Sequence, residues 1–178
     1  GPALFAITSR SHQGFAARER ILSVTMGTIE ILATAFGLLS VVLTVRQSLW
    51  CWPTGLVSVT LFAVTFFGAQ LYAQAGLQGV FFALSVYGWH QWTRPGKERK
   101  ELLVTRMNAR QAVPLAVLTA AATLLLTTLL ARNTDAALPV LDSLTATMSL
   151  AAQWMLARKL LESWLVWVLV DVLSVGMY

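Results

Sequence analysis

Charge is the scarcest ingredient of this 178-residue chain. Only 12% of its residues are charged, against about 25% in a soluble domain. So little polar surface cannot cover a water-soluble globule, and it excludes a disordered tail and a nucleic-acid binder as well. Cysteine occurs once and histidine twice. A lone Cys51 excludes an internal disulfide and a thiolate metal cage, and His12 and His90 stand too far apart to make a His-x-x-His pair. Neither Gly-x-Ser-x-Gly nor a glycine-rich phosphate loop occurs, and Gly96-Lys97-Glu98-Arg99 lacks the strand and glycine that precede a P-loop lysine. The absences remove the enzyme reading and leave no metal or cofactor site. Strand patterns are missing too, as a lone strand in lipid cannot satisfy its backbone.

What the chain has instead is apolar length. Hydrophobic residues make up 57% of it, with a mean hydropathy of +0.67. At about 20 residues per crossing, that suffices for six or seven short-looped helices, so the expected fold is an all-α polytopic membrane protein. Gly1-Pro2 has the look of an expression scar, and residues 1–20 form an N-terminal segment interrupted by Arg10, His12, Arg18 and Glu19. Spans are expected at about 21–45, 50–73, 77–92, 114–131, 138–156 and 160–178, with Gly76 breaking the second from the third and Pro114 opening the fourth. Residues 21–93 then form a first three-helix repeat, 94–112 a basic loop, 113–131 a connecting helix, and 138–178 a second repeat of two helices. The net charge of +5 is concentrated in that loop. Arg46, Arg94, Lys97, Arg99, Lys100, Arg106, Arg110, Arg158 and Lys159 share one side, against Arg10, Arg18, Arg20 and Arg132 on the other, which places the loop in the cytoplasm.

Polar residues inside the spans carry the functional signal. Trp164, Trp167, Asp171, Ser174 and Tyr178 recur at i, i+3, i+7, i+10 and i+14, one helix face. A carboxylate at that depth costs about 2.5–3.5 kcal/mol and faces a bundle interior or an aqueous cavity. Span three repeats the pattern with Gln78, Phe81 or Phe82, Ser85, Trp89 and Trp92, and span five adds Gln153-Trp154. The span-three stripe alone reads as helix packing, and a single amide as joining helices. Together, two amides, a carboxylate and several indoles suit a small polar ring. No Lys or Arg lies near the middle of a span, so a phosphate finds no partner, whereas indoles beside a carboxylate attract a cationic ring. Glu30 reads either as a proton relay or as a carboxylate tied to a neighbouring helix.

Several motifs add a resemblance. Trp52-Pro53-x-Gly55, Leu71-Tyr72-Ala73-Gln74-x-Gly76-Leu77-Gln78, Tyr87-Gly88-Trp89-x-Gln91-Trp92, Ala152–Lys159 and Glu162-Ser163-Trp164-x-x-Trp167-x-x-x-Asp171 together resemble the PnuC family of vitamin-precursor transporters. The resemblance implies a SWEET-like three-one-three helix plan, whose seventh helix would follow Tyr178 and is absent from this sequence. It implies a bacterial inner-membrane facilitator for nicotinamide riboside, made one-way by a separate cytoplasmic kinase, with no cofactor and with a homo-oligomer allowed. Substrate contacts are then expected from Gln78, Phe82, Ser85, Trp89, Gln153, Trp154, Trp164, Trp167, Asp171 and Tyr178. Trp164 and Trp167 would sandwich the ring, and Gln78, Gln153 and Asp171 would hydrogen-bond ribose or carboxamide groups. Trp52, Pro53, Gly55, Tyr72 and Gly88 are expected to be structural or gating positions. Thiamine or riboflavin is the alternative cargo, and a non-transporting membrane subunit the alternative class.

Overall fold

The computed structural model describes the backbone of residues 2–94, 104–133 and 138–177, and side chains within 24–94, 104–132 and 138–176 of those. The described residues form six helices: α1 (Pro2–Val45), α2 (Cys51–Gly68), α3 (Tyr72–Thr93), α4 (Ala109–Asn133), α5 (Pro139–Ala157) and α6 (Ser163–Met177). No strand occurs among them, only an isolated parallel bridge between Thr105 and Leu160. Val24–Val45, Cys51–Gly68 and Ala109–Arg132 are long and apolar enough to cross a membrane, and Ser163–Gly176 is a shorter apolar helix. The basic residues Lys97, Arg99 and Lys100, like Gly1 and Tyr178, lie outside the described residues.

Three turns explain where the helices stop. Gln47 (φ 54°), Gln70 (φ 61°) and Lys159 (φ 54°) each adopt the left-handed conformation. At each, two amides reach back to the carbonyls the helix end leaves open. Gln47 and Ser48 donate to Thr44 and Leu43, Gln70 and Leu71 to Phe67 and Phe66, and Lys159 and Leu160 to Leu156 and Met155. This is the Schellman closure, made here without the glycine that usually supplies it. It moves the second helix break from Gly76, where the sequence suggests one, to Gln70. Gly76 instead sits inside α3, with nothing within 4 Å of an added Cβ. The start of α4 shifts likewise. The Asn108 side chain accepts the Gln111 amide at 3.0 Å, so the helix begins at Ala109 and Pro114 lies within it. An asparagine cap is a stronger start signal than the proline. α1 runs unbroken from Pro2 to Val45.

The two turns that flank the site are copies. Arg46, Gln47, Ser48, Cys51, Trp52 and Thr54 make the same backbone hydrogen bonds as Arg158, Lys159, Leu160, Ser163, Trp164 and Val166, each 112 positions further on. The α1–α2 and α5–α6 hairpins therefore share one register, in which Trp52 corresponds to Trp164.

α2 packs between α1 and α3, α5 packs between α4 and α6, and α3 against α5 joins the halves. Small residues let α1 and α2 approach: an added Cβ on Gly37 would lie 3.1 Å from Ser58 Oγ, and one on Gly55 3.0 Å from Ser40 Oγ. Both hydroxyls bond across the pair, Ser58 to Ala33 O at 2.8 Å and Ser40 to Cys51 O at 2.7 Å. Close small-residue contact plus such bonds is how helices associate where lipid offers no hydrophobic drive. At the basic end, residues before α4 are strapped to the α5–α6 turn. Thr105 pairs with Lys159 O and the Leu161 amide, and Glu162 Oε2 accepts the Met107 amide at 2.9 Å.

Gln70 is exposed, so its left-handed backbone costs strain that no side-chain contact offsets. Gln70→Gly is expected to stabilise the protein by about 1 kcal/mol, read as a raised thermal midpoint in detergent. A lowered midpoint would show that the turn is unstrained.

Candidate functional site

A cavity of about 670 Å³ opens between the α1–α2–α3 layer and the α5–α6 hairpin. α3 turns Gln78, Phe81 and Ser85 toward it, α5 Ser149, Gln153 and Leu156, and α6 Trp164, Trp167 and Asp171. The i, i+3, i+7 spacing of α3 and α6 thus brings their polar stripes to one space. Asp171 is the only charged side chain among the described lining residues. The Gln153 amide donates to Ser85 Oγ at 3.3 Å, so it ties α5 to α3 while facing the cavity. Both readings of a membrane amide, adhesive and ligand-facing, apply to this one residue.

The opposite wall was not expected. Gly37, Ser40, Val41 and Thr44 of α1, and Cys51, Trp52, Gly55, Ser58, Val59 and Phe62 of α2, complete the lining. The signal was a helical stripe of small and hydroxyl residues within runs that otherwise read as apolar all round. Trp52, expected to be structural, is both wall and support. Only 3% of it is exposed, and its ring meets Trp92 edge-to-face at 5.3 Å and 85°. Its Nε1 has no hydrogen-bond partner among the described residues, so packing, not hydrogen bonding, sets its position. Gly88 makes room for it: a Cβ there would fall on the ring, 2.6 Å from Cζ2. Trp92 Nε1 then donates to Ala157 O at 3.2 Å, and Lys159 Nζ sits 4.2 Å from the Trp92 ring centre.

Three expected contact residues lie elsewhere. Phe82 and Trp89 are 43% and 40% exposed and neither lines the cavity; Phe82 stands one position, about 100° of helix, from the lining residue Phe81, and Trp89 the same rotation from Gly88, which packs on Trp52. Trp154 follows Gln153 by the same rotation and lines a different cavity beside α4. Tyr178 lies outside the described residues. Ser174 spends its hydroxyl on Val170 O at 2.8 Å. Pro53 is in the first turn of α2, and Tyr72 stacks edge-on against Phe67 at 5.4 Å across the Gln70 turn. Glu30 is exposed and does not line the cavity, and His90 is exposed as well.

Comparison with known proteins gives this geometry relatives. Residues 27–178 match the family model described as nicotinamide mononucleotide transporter. The nicotinamide riboside transporter PnuC of Escherichia coli is 30% identical over 175 residues, covering 84% of this chain and 73% of its own length. The riboflavin/roseoflavin transporter RibM of Streptomyces davaonensis is 30% identical over 152 residues, covering 82% and 70%. A solved structure, described as the crystal structure of the vitamin B3 transporter PnuC, shares the fold with a TM-score of 0.69 at 23% identity. It covers 93% of this chain and 72% of the other.

The Gly88–Trp52 contact sets a test of the wall. Gly88→Ala must push the indole toward the cavity or part α2 from α3, and overpacking of this kind costs about 1–3 kcal/mol. A thermal midpoint equal to that of the unaltered protein would mean that the ring is not seated on Gly88.

Proposed function

The chain belongs to the nicotinamide mononucleotide transporter family, the family of the PnuC proteins, and from that premise we propose that it is a facilitator for nicotinamide riboside, built on the SWEET-like three-one-three plan. One observation carries the choice of cargo: the cavity holds several indoles, two amides and a single carboxylate, with no cation among its described lining residues. A permanently cationic pyridinium ring suits indole faces beside Asp171, and its ribose and carboxamide suit Gln78 and Gln153. A phosphate-bearing relative of the same molecule finds nothing to neutralise it. The cavity volume falls in the range of about 300–1,000 Å³ typical of small-ligand sites. The matched turns 112 positions apart support an internal repeat with the ligand between the halves, the arrangement of many small transporters.

In this reading Trp164 and Trp167 stack on the ring, and Asp171 balances its charge. α3 and α5 cross the bilayer with α1, α2, α4 and α6, their low hydropathy reflecting the amides and hydroxyls they turn inward. The basic end faces the cytoplasm of a bacterial inner membrane. Flux runs down the gradient, and a separate kinase makes uptake one-way by phosphorylating the product. A phosphate about 4 Å from Asp171 is repelled by roughly 4 kcal/mol at an effective dielectric near 20. Thiamine, also a cationic ring, fits the same chemistry. RibM shows that a neutral tricycle is carried by one relative, so a binding panel of nicotinamide riboside, thiamine and riboflavin ranks the three.

Trp167→Ala separates a facilitator from a membrane subunit whose polar residues merely join helices. Stacking contributes about 1–3 kcal/mol per ring, so the variant should lose roughly tenfold or more in nicotinamide riboside affinity, with uptake failing while insertion and thermal midpoint hold. Unchanged uptake would remove the site from the transport path.

Reconstituted liposomes test the energetics. Unphosphorylated nicotinamide riboside should equilibrate across the membrane and stop, whatever proton or sodium gradient is imposed. Accumulation above the outside concentration under such a gradient would establish ion coupling and overturn facilitated diffusion.

A further inference from the structure

A second cavity, also about 670 Å³, lies on the other side of α5, between α4 and α3. It arises because, among the described helices, α4 packs on α5 alone and leaves α3 uncovered along that flank. Its interior is apolar, with Leu118, Ala122, Leu150 and Ala151 among its lining residues. The two threonines within it are already engaged: Thr119 Oγ1 donates to Leu115 O at 2.8 Å, and Thr147 Oγ1 bonds Ser143 O at 2.8 Å and Thr123 Oγ1 at 2.7 Å. A polar ligand such as the transported solute therefore finds no free hydroxyl donor on either threonine. One end differs. Arg110 and Gln111 line the mouth, and Arg158 holds its guanidinium 4.7 Å from the ring of Trp154, another wall residue.

We propose that this cleft binds one anionic phospholipid, its phosphate at Arg110 and Arg158 and an acyl chain running along α4 past Leu118 to Ala122. Three features of the cleft fit that molecule. Arg110 to Ala122 spans about 18 Å at 1.5 Å per residue, close to the roughly 15 Å of one leaflet's hydrocarbon. The guanidiniums lie at the end where α1, α3 and α5 finish and α4 and α6 begin, with Arg46, Arg94, Arg106 and Lys159, which is where headgroups of the more basic side lie. Guanidinium meets a phosphate through paired, charge-assisted hydrogen bonds, and basic pockets between membrane helices hold anionic headgroups in this way. A second copy of the chain is a poorer occupant, as it would bring its own Arg110 and Arg158 toward the same basic rim. The transport cavity and this cleft share α3 and α5 but no lining residue.

The test compares phosphatidylglycerol with phosphatidylcholine of identical acyl chains, each added to delipidated full-length protein in detergent. At a hundredfold excess over its Kd, phosphatidylglycerol should raise the thermal midpoint by on the order of 5 °C over phosphatidylcholine. Arg110→Gln should remove most of that difference by loss of the phosphate contact. Ala122→Phe should do so by filling the tail end, with each variant binding nicotinamide riboside as before. Phosphatidylglycerol carrying a photoreactive acyl chain should label α4 and α5 of the unaltered protein, which keeps the test independent of how the variants fold. Equal shifts with both lipids, an undiminished shift in Arg110→Gln, the same shift from inorganic phosphate alone, labelling confined to α1, or an α4-mediated dimer that excludes lipid would each overturn the proposal.

Discussion

The indole of Trp92 is where the two halves of the bundle meet. Its Nε1 donates to the last carbonyl of α5, Ala157 O, it meets Trp52 of α2 edge-to-face, and its ring lies under the Lys159 ammonium. Cys51, Trp52, Trp92 and Ala157 make one buried cluster at the basic end. Only α3 and α5 touch between the halves among the described residues, so this cluster and the Gln153–Ser85 bond set how far apart the cavity walls stand. A cation over an indole contributes about 0.5–1 kcal/mol when exposed and about 2 or more when desolvated, so the seam is strong for its size. It also carries strain. Lys159 reaches Trp92 from the left-handed residue of the α5–α6 turn, so that turn is placed by the seam and places α6 in its turn.

The two hairpins flanking the cavity share a backbone plan but have divided its chemistry. Trp52 and Trp164 correspond in register and both line the cavity. One turn deeper the same shift relates Gly55 to Trp167, and one further turn relates Val59 to Asp171. Gly55 leaves little room for a side chain, because Ser40 Oγ would stand 3.0 Å from its Cβ. The α1–α2 pair is therefore packed tightly, and the indole and carboxylate sit on α6, whose contacts are to α5. Tight packing on one side and ligand-type side chains on the other follow from the same duplicated turn.

How much of this was legible in the sequence depended on whether a residue differed from its apolar surroundings. Asp171, Gln78 and Gln153 stand out because each is costly in hydrocarbon, and the structure turns all three into one space. The aromatic stripes gave less. Two adjacent phenylalanines or a Trp beside a Gln differ by 100° on the helix, and composition cannot say which faces inward; Phe81 and Gln153 do, Phe82 and Trp154 do not. Ser40, Ser58 and Thr44 were illegible for another reason. Hydroxyls in membrane helices satisfy themselves on neighbouring carbonyls, as Thr44 does on Ser40 O at 2.8 Å, so they pass in an apolar run without a cost to betray them. Helix ends failed where the turn lacked its usual residue. Gly76 looked like the break, but Gln70 takes the left-handed backbone.

Electrostatics separates what the bundle can hold inside from what it can hold at its rim. Two described cations near the seam are engaged outside the cavity: Lys159 over Trp92 and Arg158 over Trp154. Neither lines the cavity between the halves, where Asp171 is the only charged residue among the described lining residues. Bringing Lys159 inward would forfeit its indole and leave Trp92 with only the Ala157 bond, loosening the contact between the halves. The residues that fix the cavity's width are thus the same ones that keep positive charge out of it. A phosphate is attracted to the end of the bundle and disfavoured at its centre, while a cationic ring meets the reverse gradient. In the proposed function, selectivity by charge then follows from how the halves are joined.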